Sequence, residues 1–130
     1  MGSDKFPLKK ETYDVIGICM EVQKTLGYGF AEVIYKDAME VEFAKVSIPF
    51  IREKQLNVQY KEMKLKHHFY ADFKCFDELI VEVKTSNEGI QPEHVAQLLN
   101  YLKVSGSIVG LLVNFGKRKL EYQRFILTAD

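Results

Sequence analysis

The chain has 130 residues, of which 47% are hydrophobic and 28% are charged, the composition of one ordinary globular domain. Lysines plus arginines balance aspartates plus glutamates at 18 each, so no strong overall field attracts a polyanionic partner. The balance says nothing about local patches of positive charge. No apolar run approaches the length of a membrane-spanning helix, and the opening MGSDKFPLKK lacks the apolar core of a secretory signal.

The two cysteines, Cys19 and Cys75, lie in apolar surroundings and lack the spacing of paired metal ligands. We expect both to be core thiols in a reducing compartment, which predicts a cytoplasmic protein. The sequence shows no repeats, low-complexity tracts or linkers. It therefore predicts an N-terminal tail over residues 1–10, part of it an expression remnant, and a single domain over residues 11–130.

Two helices are predicted in the first third of the chain. Apolar residues recur at helical spacing between Glu11 and Leu26, and the GYG sequence at 27–29 ends this pattern. A second helical pattern extends from Ala31 to Lys45, and Pro49 closes the helical region. The apolar positions that define this second pattern are Val33, Ile34, Ala38, Val41 and Phe43.

Strands and one further helix are predicted in the remainder. Segments 50–60, 67–76 and 79–85 have strand character, with a turn candidate at 60–64. Segment 91–106 is a predicted helix, because Pro92 suits its first turn and Gly106 its end. Segments 107–115 and 119–127 are predicted strands. The order is two helices, three or four strands, a helix and two strands, which indicates an α/β or α+β sheet with helices packed on it.

The segment ADFKCFDELIVEVKTS places three charged residues in strands that otherwise look like buried core. Glu82 and Lys84 are two apart, so their side chains share one face of a strand. Asp72 lies on the preceding strand and meets Glu82 only if the connection has an odd number of residues, for example 76–78. A two-residue turn at 77–78 would place Asp72 on the wrong face.

Two converging carboxylates repel each other, and partial burial makes this costly without a cation. A divalent metal that prefers oxygen ligands, most naturally Mg²⁺, would neutralise them, and a lysine two residues away could stabilise an anionic nucleophile or a phosphate oxygen. From Asp72, Glu82 and Lys84 alone, however, an ordinary solvated face of a hairpin is the favoured interpretation.

The pattern of Asp72 followed by Glu82, Val83 and Lys84 resembles the D…(D/E)xK hairpin of the PD-(D/E)xK nuclease superfamily. The proline of that name is missing, since Ala71 precedes the aspartate. The resemblance extends over nearly the whole chain, from about Glu11 to Leu127. It implies a restriction-endonuclease-like fold, a mixed sheet flanked by helices.

Two further motifs carry the same resemblance. Gln97 and Tyr101 in QLLNY resemble the QxxxY helix motif of the lambda-exonuclease-like branch, and a spacing of four puts both on one helix face. Gly29, Glu32 and Tyr35 in GFAEVIY match the GxxExxY family of small proteins within that superfamily. The C-terminal segment GLLVNFGKRKLEYQRFIL also resembles the end of that family.

The resemblance implies a metal site for Mg²⁺ or Mn²⁺. Its ligands would be Asp72, Glu82 and the backbone carbonyl of Val83, with Glu32 as a further acidic ligand, direct or through water. Lys84 would position or activate the attacking water. Without the resemblance, Glu32 is better explained as a first-turn glutamate that suits the helix dipole.

The remaining residues of the motifs have supporting roles in the same scheme. Gln97 would hold Lys84 or the phosphate, and Tyr101 would line the site. Tyr35 is expected to pack and orient, and Gly29 to serve the turn before the second helix. The resemblance thus implies a catalytic set of Glu32, Asp72, Glu82, Lys84, Gln97 and Tyr101.

The leading functional hypothesis is a metal-dependent nuclease that hydrolyses phosphodiester bonds in DNA or RNA. A non-catalytic nucleic-acid or protein interaction module that keeps the nuclease fold is the alternative, and a hydrolase of another phosphoester is a third. No membrane partner is expected, and homo-oligomerisation stays open. A phosphate-contacting rim, or merely scattered surface charge, could come from Lys61, Lys64, Lys66, Lys117, Arg118, Lys119 and Arg124.

Overall fold

A computed structural model describes residues 6–128 of the chain. Three helices and five strands follow one another in this part of the sequence. In chain order they are α1 (Lys9–Leu26), α2 (Glu32–Lys45), β1 (Phe50–Tyr60), β2 (Met63–Cys75), β3 (Leu79–Lys84), α3 (Pro92–Ser105), β4 (Val109–Asn114) and β5 (Glu121–Ile126).

The five strands form one mixed sheet in the order β1-β2-β3-β4-β5. All neighbours are antiparallel except β3 and β4, which are parallel and joined by α3 as the crossover. The fold-class prediction is confirmed. The first run contains three strands and not four, because Lys61 and Glu62 form a tight turn between β1 and β2.

The helices cover the two faces of the sheet with two hydrophobic clusters. The first, the α1/α2 core, joins both N-terminal helices to one face and includes Val15, Met39, Phe43, Phe73 and Val81. The second, the α3 core, packs that helix on the other face and consists of Leu56, Ala71, Ile80, Leu98, Tyr101, Leu102 and Leu112. Alternate residues of β3 therefore enter different cores, as the period of a strand requires.

The apolar stripe predicted for α2 is partly wrong. Three of its members are more than a third exposed: Val33, Ile34 and Val41. The helix buries Phe43, as predicted, together with Tyr35 and Met39. The buried rings have aromatic partners that fix the rotation of the helix. Tyr35 stacks on Phe115 with centroids 4.5 Å apart, and Phe43 meets Phe73 edge-on at 5.3 Å.

The first helix begins at Lys9, two residues before the predicted boundary of the tail, and residues 1–5 lie outside the described part. Cys19 and Cys75 are buried free thiols, as predicted. Within residues 6–128, no helix combines the length and apolar character needed to cross a membrane.

The hairpin of β1 and β2 changes sides of the sheet at one point. Phe73 belongs to the α1/α2 core, whereas Ala71, two residues earlier, belongs to the α3 core. A regular strand would place both on the same face. Between them lies Asp72, and the residue across from it on β1 is Glu53, whose φ of 53° is left-handed. This irregular point is where the candidate site forms.

Candidate active site

The connection between β2 and β3 has the odd length that convergence of the two carboxylates requires. The register pairs Phe73 with Val81 and Cys75 with Leu79, which leaves residues 76–78 as the turn. Continued by one residue, this register places Asp72 opposite Glu82. The two side chains therefore share one face of the hairpin.

Regular backbone pairing of β2 with β3 ends at Phe73 and Val81. Beyond that point, carboxylate side chains accept hydrogen bonds from the backbone. The backbone N–H of Asp72 donates to Oε2 of Glu82 at 2.7 Å, and the N–H of Val83 donates to Oδ2 of Asp72 at 2.7 Å. Asp72 is 9% exposed and Glu82 is 3% exposed. Backbone donors thus fix both carboxylates in a mostly dry environment, where a hydrogen bond to a charged group is strong.

A buried lysine that the sequence analysis missed contacts Asp72. Nζ of Lys36 lies 2.8 Å from Oδ1 of Asp72 and also contacts Oε1 of Glu53. A signal for Lys36 existed, because it follows Glu32 by one helical turn and so shares its face. Glu53 gave no such signal, since its direction depends on the left-handed backbone at that position.

The electrostatics of the site show an excess of negative charge. Burial, and next the charge of Asp72, raise the pKa of Glu82 to about 8. The same two causes, in the same order, raise the pKa of Glu32. Burial alone would lower the pKa of Lys36, but hydrogen bonds to Asp72 and Glu53 outweigh it, so that pKa is raised.

The third helix supplies a second set of predicted residues. Its start is fixed by Pro92 and by a capping box, in which the N–H of Gln91 donates to Nδ1 of His94 at 2.9 Å. His94 thus caps the start of the helix. One turn further along, Oε1 of Gln97 accepts a hydrogen bond from Nζ of Lys84 at 2.8 Å.

Tyr101 lies one turn beyond Gln97 and is nearly buried. Its ring packs on Phe69 with centroids 5.4 Å apart. Burial, and next the charges of Glu82 and Asp72, raise the pKa of its hydroxyl to about 12. The negative charges of the carboxylates therefore act on this hydroxyl, which stays protonated at neutral pH.

The GxxExxY residues form a brace for the loop that precedes α2. Gly29 has a φ of 110°, which a side chain would strain. The hydroxyl of buried Tyr35 donates to the carbonyl of Gly27 at 2.6 Å and accepts from the N–H of Phe30 at 3.3 Å. Glu32 opens the helix immediately after this loop, so the brace fixes where its side chain starts.

The donor set fits a divalent metal in its chemistry. Asp72, Glu82 and Glu32 offer hard oxygens, and burial, followed by the charge of Asp72, raises the pKa of both glutamates. Among residues 6–128, no three Asp, Glu, His or Cys side chains converge into a ready-made cluster. The compact part of the site is therefore the Asp72–Glu82 pair.

The basic residues separate into two regions. Lys61, Lys64 and Lys66 lie on the exposed outer half of the β1–β2 hairpin, residues 57–68, which we call the arm. Residues 117–119 lie in the β4–β5 loop, where Lys117 pairs with Glu121 at 3.7 Å. The guanidinium of Arg124 donates to a backbone carbonyl instead. A single continuous rim is therefore absent from these seven residues.

Comparison with known proteins identifies the same architecture. A family model described as the PD-(D/E)XK nuclease superfamily matches residues 9–125. A search of curated protein sequences finds no match. Among solved structures, the chain resembles an alkaline exonuclease (LHK-Exo) from Laribacter hongkongensis, with a TM-score of 0.56, 12% identity, and coverage of 98% of this chain and 73% of the other.

A second solved structure is "Crystal structure of SSO0001", with a TM-score of 0.52, 16% identity and coverage of 95% of this chain. The chain spans 62% of the length of that protein. At these identities both likenesses show the fold alone.

The pKa of Glu82 predicts how stability depends on pH in metal-free protein. Its value of about 8 in the folded state exceeds the ordinary value of 4.5, so between these pH values the folded state holds a proton that the unfolded state has lost. Stability should therefore fall as the pH rises from 5 to 8, by on the order of 1 kcal/mol or more.

Urea unfolding in EDTA at a series of pH values measures this slope. Glu82→Gln should flatten it, whereas Glu88→Gln, which removes an exposed glutamate, should leave it unchanged. An equal slope in the parent and in Glu82→Gln would show that this carboxyl is not the titrating group.

The brace on the loop predicts the effect of Tyr35→Phe. The variant keeps the ring stacked on Phe115 but leaves the carbonyl of Gly27 and the N–H of Phe30 without their partner. We expect a loss of roughly 1–2 kcal/mol of unfolding free energy and faster amide hydrogen exchange in residues 27–31. Exposed Tyr13 provides the control, since Tyr13→Phe should change neither measurement. Unchanged exchange in Tyr35→Phe would contradict the brace.

Proposed function

Because the chain belongs to the PD-(D/E)XK nuclease superfamily, we propose that it hydrolyses phosphodiester bonds in nucleic acid with the help of Mg²⁺ or Mn²⁺. The observation that carries the proposal is the buried Asp72–Glu82 pair, whose two carboxylates are held by backbone N–H groups on one side of the hairpin. The arrangement of Gly29 and Tyr35 around Glu32 supports placing the chain in the GxxExxY family.

The charge balance of the site supports a divalent cation. Four carboxylates, those of Glu32, Glu53, Asp72 and Glu82, interact electrostatically with only two ammonium groups, those of Lys36 and Lys84. If every group is ionised, two negative charges remain uncompensated. Asp72 and Glu82 are buried, which makes the excess negative charge costly. One divalent ion would supply two compensating positive charges.

Asp72, Glu82 and the carbonyl of Val83 would hold the ion, with Glu32 acting directly or through water. When bound, a metal of this kind neutralises charge on the phosphate and lowers the pKa of a water molecule. Lys84 supplies an ammonium beside the carboxylates to orient the water or to stabilise charge that develops on the phosphate. Gln97 holds that ammonium in place through its 2.8 Å hydrogen bond.

Nucleic acid as the substrate is supported by the local charge of the arm. The chain as a whole is neutral, yet Lys61, Lys64 and Lys66 fall within six residues on the exposed part of the hairpin, against one acidic residue, Glu62. Lysines of this kind contact phosphates and release counterions. The arm therefore offers a cationic surface on a molecule whose net charge is zero.

A non-catalytic interaction module remains the second candidate, and the ion pair of Lys36 with Asp72 favours it. This pair gives the buried aspartate a structural partner that needs no metal. Among the described residues, however, it leaves Glu82 without an ion-pair partner, and burying an unpaired carboxylate is costly without a cation. The two candidates differ in metal-dependent cleavage.

Lys84→Ala separates catalysis from binding. The ammonium is expected to act mainly in the transition state, so its loss should lower the cleavage rate by about 10²-fold or more. Binding rests on several phosphate contacts and should weaken by about tenfold or less. Labelled single- and double-stranded DNA and RNA, with Mg²⁺ or Mn²⁺, provide the assay.

Lys103→Ala, at the exposed end of α3, is the matched control and should cleave like the parent. Equal cleavage by the parent and Lys84→Ala would indicate a contaminating nuclease or a misassigned lysine. If the parent cleaves none of the substrates, the interaction module becomes the better conclusion.

Metal binding predicts a shift in thermal stability. Mg²⁺ or Mn²⁺ at about 100 times its dissociation constant should raise the melting temperature by on the order of 10 °C, because the ion binds the folded state alone. Asp72→Asn should abolish this shift. Asp77→Asn removes an exposed carboxylate from the nearby turn and should retain it. Equal shifts in both variants would place the ion elsewhere.

A further inference from the structure

A cavity of about 500 Å³ lies beside the candidate active site and has no role in the scheme above. One wall comes from the loop between α1 and α2, and the other from the segments that follow β3 and β4. Its lining includes Tyr28, Phe30, Thr85, Ser86, Asn87 and Gly116. Its volume falls within the ~300–1,000 Å³ typical of small-molecule sites.

Chain connections place this cavity next to the proposed chemistry. Thr85 directly follows Lys84, and Phe30 precedes Glu32 by two residues. The cavity also lies beyond the carboxyl ends of β3 and β4, the parallel pair of the sheet. Ligands of open sheets that contain parallel strands commonly bind at such ends.

Two aromatic side chains line the cavity while remaining open to solvent. Tyr28 is 56% exposed and Phe30 is 47% exposed. Their loop is fixed by the brace from Tyr35, and the ring of Phe30 also packs edge-on against that tyrosine at 6.1 Å. A ring that is held in place before binding, as that of Phe30 is, loses little conformational freedom when a ligand stacks on it.

The opposite wall is fixed by Asn114, which is fully buried. Its Oδ1 accepts from the N–H of Ser86 at 2.8 Å, and its Nδ2 donates to the carbonyl of the same serine at 2.9 Å. The backbone at Gly116 approaches the backbone at Ser86 closely, since a β-carbon at position 116 would lie 2.4 Å from the carbonyl carbon of Ser86. The lining residues of this wall with polar side chains are Thr85, Ser86 and Asn87.

We propose that this cavity is a nucleobase subsite, in which one unpaired base of the nucleic-acid substrate stacks on Tyr28 and Phe30 beside the reacting phosphodiester. The combination of exposed rings, polar groups for a base edge and adjacency to Lys84 fits a nucleotide unit better than an isolated phosphate. Stacking tolerates every base, because each has a π-face. The proposal rests on nucleic acid being the substrate, as argued under the proposed function.

Binding of a short labelled single-stranded DNA, compared with an abasic strand of equal length, tests the subsite. Fluorescence anisotropy in EDTA measures affinity without cleavage. The parent should bind the intact strand about tenfold more tightly than the abasic strand, the scale of one stacked base. Tyr28→Leu should remove most of this preference and leave binding of the abasic strand unchanged. Phe30→Leu serves as the second variant.

Exposed Tyr13 on α1 provides the matched control, and Tyr13→Leu should keep the parent's preference. Melting temperatures of all variants show whether each is folded. Equal binding of intact and abasic strands by the parent would overturn the subsite, as would equal effects of Tyr28→Leu and Tyr13→Leu.

A parallel cleavage assay with Mn²⁺ separates this proposal from the nuclease proposal. If the parent cleaves nucleic acid but binds intact and abasic strands equally, the subsite is overturned and the nuclease function stands. A preference for the intact strand without any cleavage would support the subsite and count against the enzyme. If the parent neither binds nor cleaves, both proposals fail.

Discussion

The buried contact between Asp72 and Glu82 is the constraint on which the rest of the site depends. Two carboxylates can share one side of a hairpin only with a connection of odd length, and residues 76–78 provide it. They can stay buried only if donors replace water. Those donors are backbone N–H groups released where regular pairing of β2 with β3 ends. The local irregularity of the hairpin therefore creates the site and does not merely accompany it.

The second helix connects this constraint to the rest of the fold. Its buried face carries Tyr35 and Lys36 side by side, and the two residues serve different regions. The tyrosine braces the preceding loop and stacks on Phe115, while the lysine reaches Asp72 and Glu53. Because one helix does both, its rotation is tightly specified, and its β-branched residues are left on the solvent side.

Much of the fold could be predicted from the sequence, because strand period, helix period and turn residues report local geometry. Because side chains alternate along a strand, the hairpin needed an odd number of residues in its turn for Asp72 to meet Glu82. A spacing of four placed Gln97 and Tyr101 on one face of α3. The rotation of α2 could not be predicted, since apolar residues occur all round that helix and aromatic partners distant in sequence select the buried face. Glu53 was missed for a related reason. Its direction follows from a left-handed backbone that no residue type at that position indicates.

The ion pair of Lys36 with Asp72 explains how the fold tolerates these buried carboxylates. A single ammonium offsets part of the charge on Asp72 and Glu53, which lets the fold tolerate the buried aspartate. It cannot offset Glu82 as well, and burial beside Asp72 leaves that carboxyl with a pKa of about 8. Without a metal, Lys36 offsets part of the negative charge, and the raised pKa of Glu82 favours the neutral form of that carboxyl. Under the proposed function, a divalent cation would supply the positive charge that these two groups leave missing.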